Sequence, residues 1–294
     1  YKTLNKSKLN HTIMHISIGC FDYTFNYLPL THQFHTYWSK AFYLFNKFNL
    51  VKRHHYIKRS FELISKLGFG SVQIMCQDPK QMPFNGSQLN KLCGNLDLKT
   101  SSIGGYVDIL ASDWIKFKEI VDYTRKINTN IICVHSGTPK KNQDNWRLFK
   151  DRFTDLIDYA GSYDIRIALE NSPFNLVKTE KDLIKATKLI PGLFINLDFG
   201  NLNLVSKNIP NTIIKLKKYI IHVHAKDSIN KKGNFYFPEI GQGTVPFKEC
   251  IKNLKKINYK GPMVIEYEGN NNPLLDFDLL FFVSNIKNLN SLNF

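Results

Sequence analysis

Eight short strand-like runs, most of them apolar, separated by amphipathic stretches with a helical repeat, restrict this chain to very few folds. The runs cover residues 14–20, 71–75, 99–104, 131–135, 166–170, 193–198, 220–224 and 263–267. Helices are predicted over 56–67, 114–127, 146–160, 180–189, 212–216, 247–257 and 276–286. Within 56–67 the apolar positions Ile57, Phe61, Ile64 and Leu67 recur at helical spacing, and Gly68 follows as a stop. Strands that alternate with helices predict a parallel sheet, and eight of them predict closure. The expected fold is α/β: a single (β/α)8 TIM barrel spanning 1–294, with 1–12 and 287–294 as tails. A doubly wound open sheet is the weaker alternative, because its Gly-rich first turn is absent. The stretch 21–53 is too long for one βα loop, so a helical insertion over the barrel mouth is expected after the first strand. Its aromatics Phe21, Tyr23, Phe25 and Tyr27 suit a lid, an oligomer contact or plain packing.

A length of 294 residues, 43% hydrophobic, is enough for one full core of this kind. The five cysteines are scattered and odd in number, which reads as free thiols in a reducing compartment, the cytoplasm. No apolar run approaches the ~18 residues of a membrane span. The first residues are polar and basic, without the apolar centre of a signal peptide. The chain does not begin with Met, which reads as trimmed or partial. A net charge of +16 has two readings. One is an anionic partner. The other, favoured because the lysines are spread along predicted helices, is a compositional bias toward Lys, Asn, Ile, Phe and Tyr. The densest basic cluster lies at 51–59.

Four of the runs end in a metal-ligating residue type: Glu170, Asp198, His224 and Glu266. Side chains alternate along a strand, so Asn196 shares a face with Asp198, His222 with His224, and Glu268 with Glu266. If those faces point inward, the last residues converge on the C-terminal rim of the barrel. Three carboxylates alone would repel one another, and a divalent cation resolves that. Three oxygens and one imidazole nitrogen suit one ion of Mn, Mg, Co or Zn. Singly, each residue reads as an ordinary surface or capping group; jointly they read as one metal site.

The chain also resembles the xylose isomerase-like barrels, the superfamily of sugar phosphate isomerases and epimerases and of endonuclease IV-like proteins. The matching pieces are Leu-Glu-Asn at 169–171, Leu-Asp-Phe-Gly-Asn at 197–201, His-Ala-Lys-Asp at 224–227, Ile-Gly-Gln-Gly-Thr-Val-Pro-Phe at 240–247 and Gly-Pro-Met-Val-Ile-Glu-Tyr-Glu at 261–268. In the isomerase and epimerase branch the resemblance implies that Glu170, Asp198, His224 and Glu266 hold one divalent metal. It favours Glu266 over Glu268. It also implies that Glu170 and Glu266 are the catalytic acid/base pair, moving a proton through a metal-stabilised enediolate. The implied partner is a small carbohydrate or keto-polyol, phosphorylated or not, with nucleic acid and membrane not expected and a homo-oligomer left open. His135, Asn201, His222, Lys226 and Asp227 are the candidate substrate-binding residues, and for each a packing or loop-shaping role is the alternative. Gly241 and Gly243 are read as shaping a loop.

Two other functions compete. An endonuclease IV-like DNA-repair enzyme would suit the basic charge, but needs a three-metal cluster. The histidines it requires are missing: 101–106 has none, Asn201 replaces another, and 234–239 lacks the Asp-x-His pair. An inactive barrel acting as a binding module is the third reading, opposed by the presence of all four ligand types.

Overall fold

The computed structural model describes residues 15–19, 58, 61, 62, 64–66, 69–206 and 208–266, the first five as backbone only. Eight strands form one closed barrel. They are β1 (His15–Gly19), β2 (Ser71–Cys76), β3 (Lys99–Gly105), β4 (Ile131–His135), β5 (Arg166–Glu170), β6 (Phe194–Asp198), β7 (Ile220–Ala225) and, after a separate hairpin, β10 (Pro262–Ile265). The order around the barrel is β1-β10-β7-β6-β5-β4-β3-β2, every pair is parallel, and β1 closes the ring by pairing with both β2 and β10. The eight strand-like runs of the sequence correspond to these eight strands. The hairpin is β8 (Ile229–Lys231) against β9 (Asn234–Tyr236), antiparallel and outside the barrel.

Helices fill the outside: α1 (Gly86–Gly94), α2 (Phe117–Thr124), α3 (Asn145–Gly161), α4 (Glu180–Leu189), α5 (Phe199–Val205), α6 (Ile209–Lys215) and α7 (Phe247–Lys256). The predicted helix over 114–127 is a 3-10 turn, Trp114–Lys116, followed by α2. The short candidate over 212–216 is the end of α6. Of 56–67, the described residues 58, 61, 62 and 64–66 are helical. The helix over 276–286, the insertion at 21–53, both tails and Glu268 lie outside the described residues.

Two helix starts show how local chemistry fixes the frame. Asn85 accepts from the Gln88 amide while the Gln88 side chain accepts from the Asn85 amide, and Thr179 and Asp182 make the same reciprocal pair before α4. Each satisfies donors that a helix leaves open. The main core lies between strands and helices. Phe117, Phe149, Phe153 and Leu156 are fully buried there; each such side chain contributes about 1.5–3 kcal/mol by leaving water. The barrel interior differs. Part of its apolar filling is a small cluster of Ile131, Cys133 and Ala168 with Ile221 against it, and polar side chains occupy the space above. Cys76, Cys93, Cys133 and Cys250 are buried, and no disulfide joins any two of them.

Candidate metal and active site

Parallel register carries the strand-end residues to one rim. His135 pairs with Glu170, and Asp198 with His224, which pairs in turn with Val264, two residues before Glu266. The ligand atoms of Glu170, Asp198, His224 and Glu266 all lie within 4.8 Å of one another. His224 Nδ1 is central: 3.1 Å from Glu266 Oε2, 3.4 Å from Glu170 Oε1 and 3.7 Å from Asp198 Oδ2. Its other nitrogen, Nε2, is 2.9 Å from Gln73 Oε1. A carboxamide oxygen only accepts, so Nε2 carries the proton and Nδ1 is the nitrogen turned to the carboxylates.

Each carboxylate has one oxygen anchored or screened. Asp198 Oδ1 accepts from the Asn201 amide at 2.7 Å, capping α5, which starts directly from the strand. Asn171 clamps the ends of β5 and β6: it donates to Asp198 O and accepts from Asp198 N, both at 3.0 Å. Glu170 Oε2 accepts from Asn196 Nδ2 at 2.8 Å, and the same nitrogen lies 3.3 and 3.4 Å from the two ring nitrogens of His224. Asp198 Oδ2 and Glu266 Oε2 are buried and accept no well-directed hydrogen bond. They face charge instead: Lys226 Nζ stands 2.9 Å from the first and 3.1 Å from the second.

These charges set one another's protonation. Burial alone would push the Glu170 carboxyl up, but His224 and His135 outweigh it and hold it well below the usual range. Glu266 is likewise lowered against its burial, to about 2, by Lys226 and His224. Asp198, in contrast, is raised by burial. Burial pulls His224 down, yet Glu170 and Glu266 prevail and raise it well above an ordinary histidine.

Three buried carboxylates and an imidazole nitrogen turned toward them, two of the oxygens with no directed donor, fit a divalent cation by number and by chemistry. A raised imidazole holds its proton through neutral pH, and that proton must leave before Nδ1 can bind metal. Mn²⁺ affinity is therefore expected to be weaker at about pH 6 than at about pH 8.5, with a proton released on binding. Calorimetric titrations in two buffers of different ionisation enthalpy check this; a pH-independent affinity would remove His224 from the ligand set.

The remaining candidates separate. His135 sits at the mouth, with Nε2 3.3 Å from Glu170 Oε1 and its ring edge-on to Tyr106. Asn201 is 5% exposed and turns its Nδ2 toward Asn171 O at 3.1 Å and Glu170 Oε1 at 3.5 Å. It puts an N–H donor where a second metal would need a lone pair. Lys226 is buried on the carboxylates, 5.1 Å from the Phe237 ring. His222 is fully buried one tier lower, with Nε2 on Ser102 and Nδ1 on Asn196, which leaves neither nitrogen for a substrate. Asp227 faces the following loop: its two oxygens accept from the amides of Ser228, Gly241, Gly243 and Val245. The Gly-Gln-Gly piece has its reason there. Gly241 has φ +90, and a Cβ on Gly243 would meet Asp227 Oδ1 at 2.0 Å.

Gln73, Asn171 and Asn196 were not legible as site residues from the sequence. For Asn196 a signal existed: it shares the inward face of Asp198.

The chain belongs to the xylose isomerase-like TIM barrel family, whose model matches residues 61–282. Among curated proteins it is similar to an uncharacterized protein of Methanocaldococcus jannaschii, 28% identical over 235 residues, 70% of this chain and 78% of that one. It is 24% identical over 168 residues to the inosose dehydratase of Glaesserella parasuis, covering 50% of this chain and 56% of the relative. A protein of Haemophilus influenzae named for L-ribulose-5-phosphate 3-epimerase is 28% identical over 145 residues, 47% of this chain and 51% of that one. The chain thus spans about half the length of these last two. Among the described residues, no helix is long and apolar enough to cross a membrane.

Proposed function

We propose that this protein is a divalent-metal-dependent isomerase or epimerase of a small sugar or keto-polyol, phosphorylated or not. The observation that carries this reading is the placement of two ionised carboxylates, Glu170 and Glu266, 3.4 and 3.1 Å from His224 Nδ1 in a buried cluster that fits one cation. The epimerase and dehydratase relatives support the substrate class.

Glu170, Asp198, His224 and Glu266 would hold the ion, which when bound supplies Lewis-acid stabilisation of negative charge on substrate oxygens. The protein's own residues do the rest. A proton on the carbon next to a carbonyl is weakly acidic, and one carboxylate removes it. The second returns a proton to the other face, or to the neighbouring carbon. Glu170 and Glu266 have these roles. His135, at the mouth, donates to a substrate oxygen. Lys226 offsets the carboxylate charge around Asp198 and Glu266 and presents its ammonium to an anionic substrate group. Burial of the cluster excludes water and strengthens each of these interactions.

The test uses the purified full chain loaded with Mn²⁺. About one equivalent of metal is expected, with solvent deuterium entering the carbon next to the carbonyl in a panel of ketohexoses, pentulose phosphates and inososes. Loss of water from an inosose instead would move the assignment to a dehydratase. No bound metal, no thermal stabilisation by Mn²⁺ and no exchange across the panel would make the barrel a binding module. Three equivalents with DNA cleavage would make it a nuclease.

A further inference from the structure

Below the carboxylate tier, the barrel interior holds a second polar tier tied to Glu170 by a directed chain of hydrogen bonds. Ser102 on β3, His222 on β7 and Asn196 on β6 are all fully buried. Ser102 Oγ lies 2.8 Å from His222 Nε2, and His222 Nδ1 lies 2.9 Å from Asn196 Oδ1. Asn196 Nδ2 donates to Glu170 Oε2 at 2.8 Å.

The direction of the chain follows from valence. An ionised carboxylate only accepts, so the Asn196 carboxamide must give its nitrogen to Glu170 and its oxygen to His222. That oxygen also only accepts, so His222 carries its proton on Nδ1. Nε2 is then the acceptor for the Ser102 hydroxyl. The other carboxylate oxygen, Glu170 Oε1, is turned elsewhere: 3.3 Å from His135 Nε2, 3.4 Å from His224 Nδ1 and 3.5 Å from Asn201 Nδ2. Barrel interiors are usually filled by branched apolar side chains. Three adjacent polar side chains in this space cost desolvation that packing alone does not require.

We propose that Asn196 is a positioning residue that holds Glu170 Oε2 and so commits Oε1 to the cation and substrate, with Ser102 and His222 locking its carboxamide in the orientation that does this. The proposal rests on the reading of Glu170 as a working carboxylate. A carboxyl group free to rotate would exchange its two oxygens; one fixed by a buried amide presents a single lone-pair set in a single place.

Two measurements on the full chain test it. The first is the imidazole tautomer of His222, read by long-range ¹H–¹⁵N correlation on metal-free, histidine-labelled protein, with His222→Gln used to assign the signal. His222 is expected to be neutral with the proton on Nδ1, and Asn196→Leu is expected to shift that proton toward Nε2. The second is Mn²⁺ affinity. Asn196→Leu and His222→Phe should each weaken it about 10- to 100-fold. His222→Gln, which can donate and accept in the same directions, should stay near the wild type. An imidazolium or an Nε2–H tautomer in the wild type, or a tautomer that ignores Asn196→Leu, overturns the proposal. Equal losses from His222→Gln and His222→Phe also overturn it, even if both proteins stay folded. If the wild type binds no Mn²⁺, the metal reading fails, and the tautomer result alone decides this one.

Discussion

Glu266→Gln is expected to lower kcat by about 10²- to 10⁴-fold, the usual range for removing a positioned proton-transfer group. Gln keeps the shape of Glu and one acceptor oxygen, so packing around 0%-exposed Asp198 and 2%-exposed His224 is preserved. The cluster sets three carboxylates against His224 and Lys226, with His135 beside Glu170. Lys226 and His224 hold the Glu266 carboxyl down to about 2, so its charge stabilises the folded form and its removal costs part of that, although Lys226 keeps Asp198 as a partner at 2.9 Å. The metal-free variant should therefore stay folded but melt somewhat earlier than the wild type, and the stabilisation gained on adding Mn²⁺ should shrink. Circular dichroism, melting with and without Mn²⁺, and deuterium exchange on the active sugar separate these effects. Turnover retained at wild-type rate in a folded variant would exclude Glu266 as one of the proton-transfer groups.

The largest stability effect is expected from a residue that touches no substrate. Asp227 is 1% exposed, and its carboxylate gathers four backbone amides: Ser228 at 2.8 Å, Gly241 at 2.8 Å, Gly243 at 2.9 Å and Val245 at 3.1 Å. Truncation to Ala leaves these donors without their acceptor, at about 1–3 kcal/mol for each that stays buried. Relaxation of the loop will recover part of that. A net loss of about 3 kcal/mol corresponds to a drop in Tm of about 6–12 °C for a chain of this size. Asp227→Asn should be nearly as harmful, because it turns an N–H₂ toward amides that need an acceptor. If Asp227→Asn melts like the wild type, one oxygen suffices and the four-amide account is wrong.

Strands β4 to β7 were legible because each is a largely apolar run closed at or near its end by a polar group, the pattern of a parallel strand covered on both faces, whereas β3, Lys-Thr-Ser-Ser-Ile-Gly-Gly, rested on its place in the alternation. α1 was not legible, since its apolar positions are sparse; the better mark was its start, where Asn85 precedes Gln88 by three residues. α5 was hidden for another reason. Asp198 ends a strand and caps a helix at once, so no loop composition separates the two. The β8–β9 hairpin turns at Lys232 (φ 54) and Gly233 (φ 90), a pair that suits such a turn, but its strands are only three residues long.

In the site, the upper tier was readable because acidic and imidazole groups at strand ends are conspicuous. The lower tier was not. Ser102, Asn196 and Gln73 are unremarkable polar residues until neighbouring strands are known, and their partners lie on strands far apart in sequence. His222 and Asp227 show the converse: their chemistry marked them, and the burial that takes up their polar atoms became visible only in three dimensions.

The ring closes by pairing β10 with β1, His15 against Pro262 and Ile18 against Ile265, across nearly the whole chain. Contacts so distant in sequence form late and slowly. Glu266 lies immediately after β10, whereas Glu170, Asp198 and His224 belong to consecutive middle strands. A cation that needs all four donors therefore binds the finished ring and not a half-assembled one. By mass action, an ion at 100 times its dissociation constant adds about 2.7 kcal/mol to that closed form. Refolding in the presence of such an ion thus selects against chains that stall with the last strand undocked.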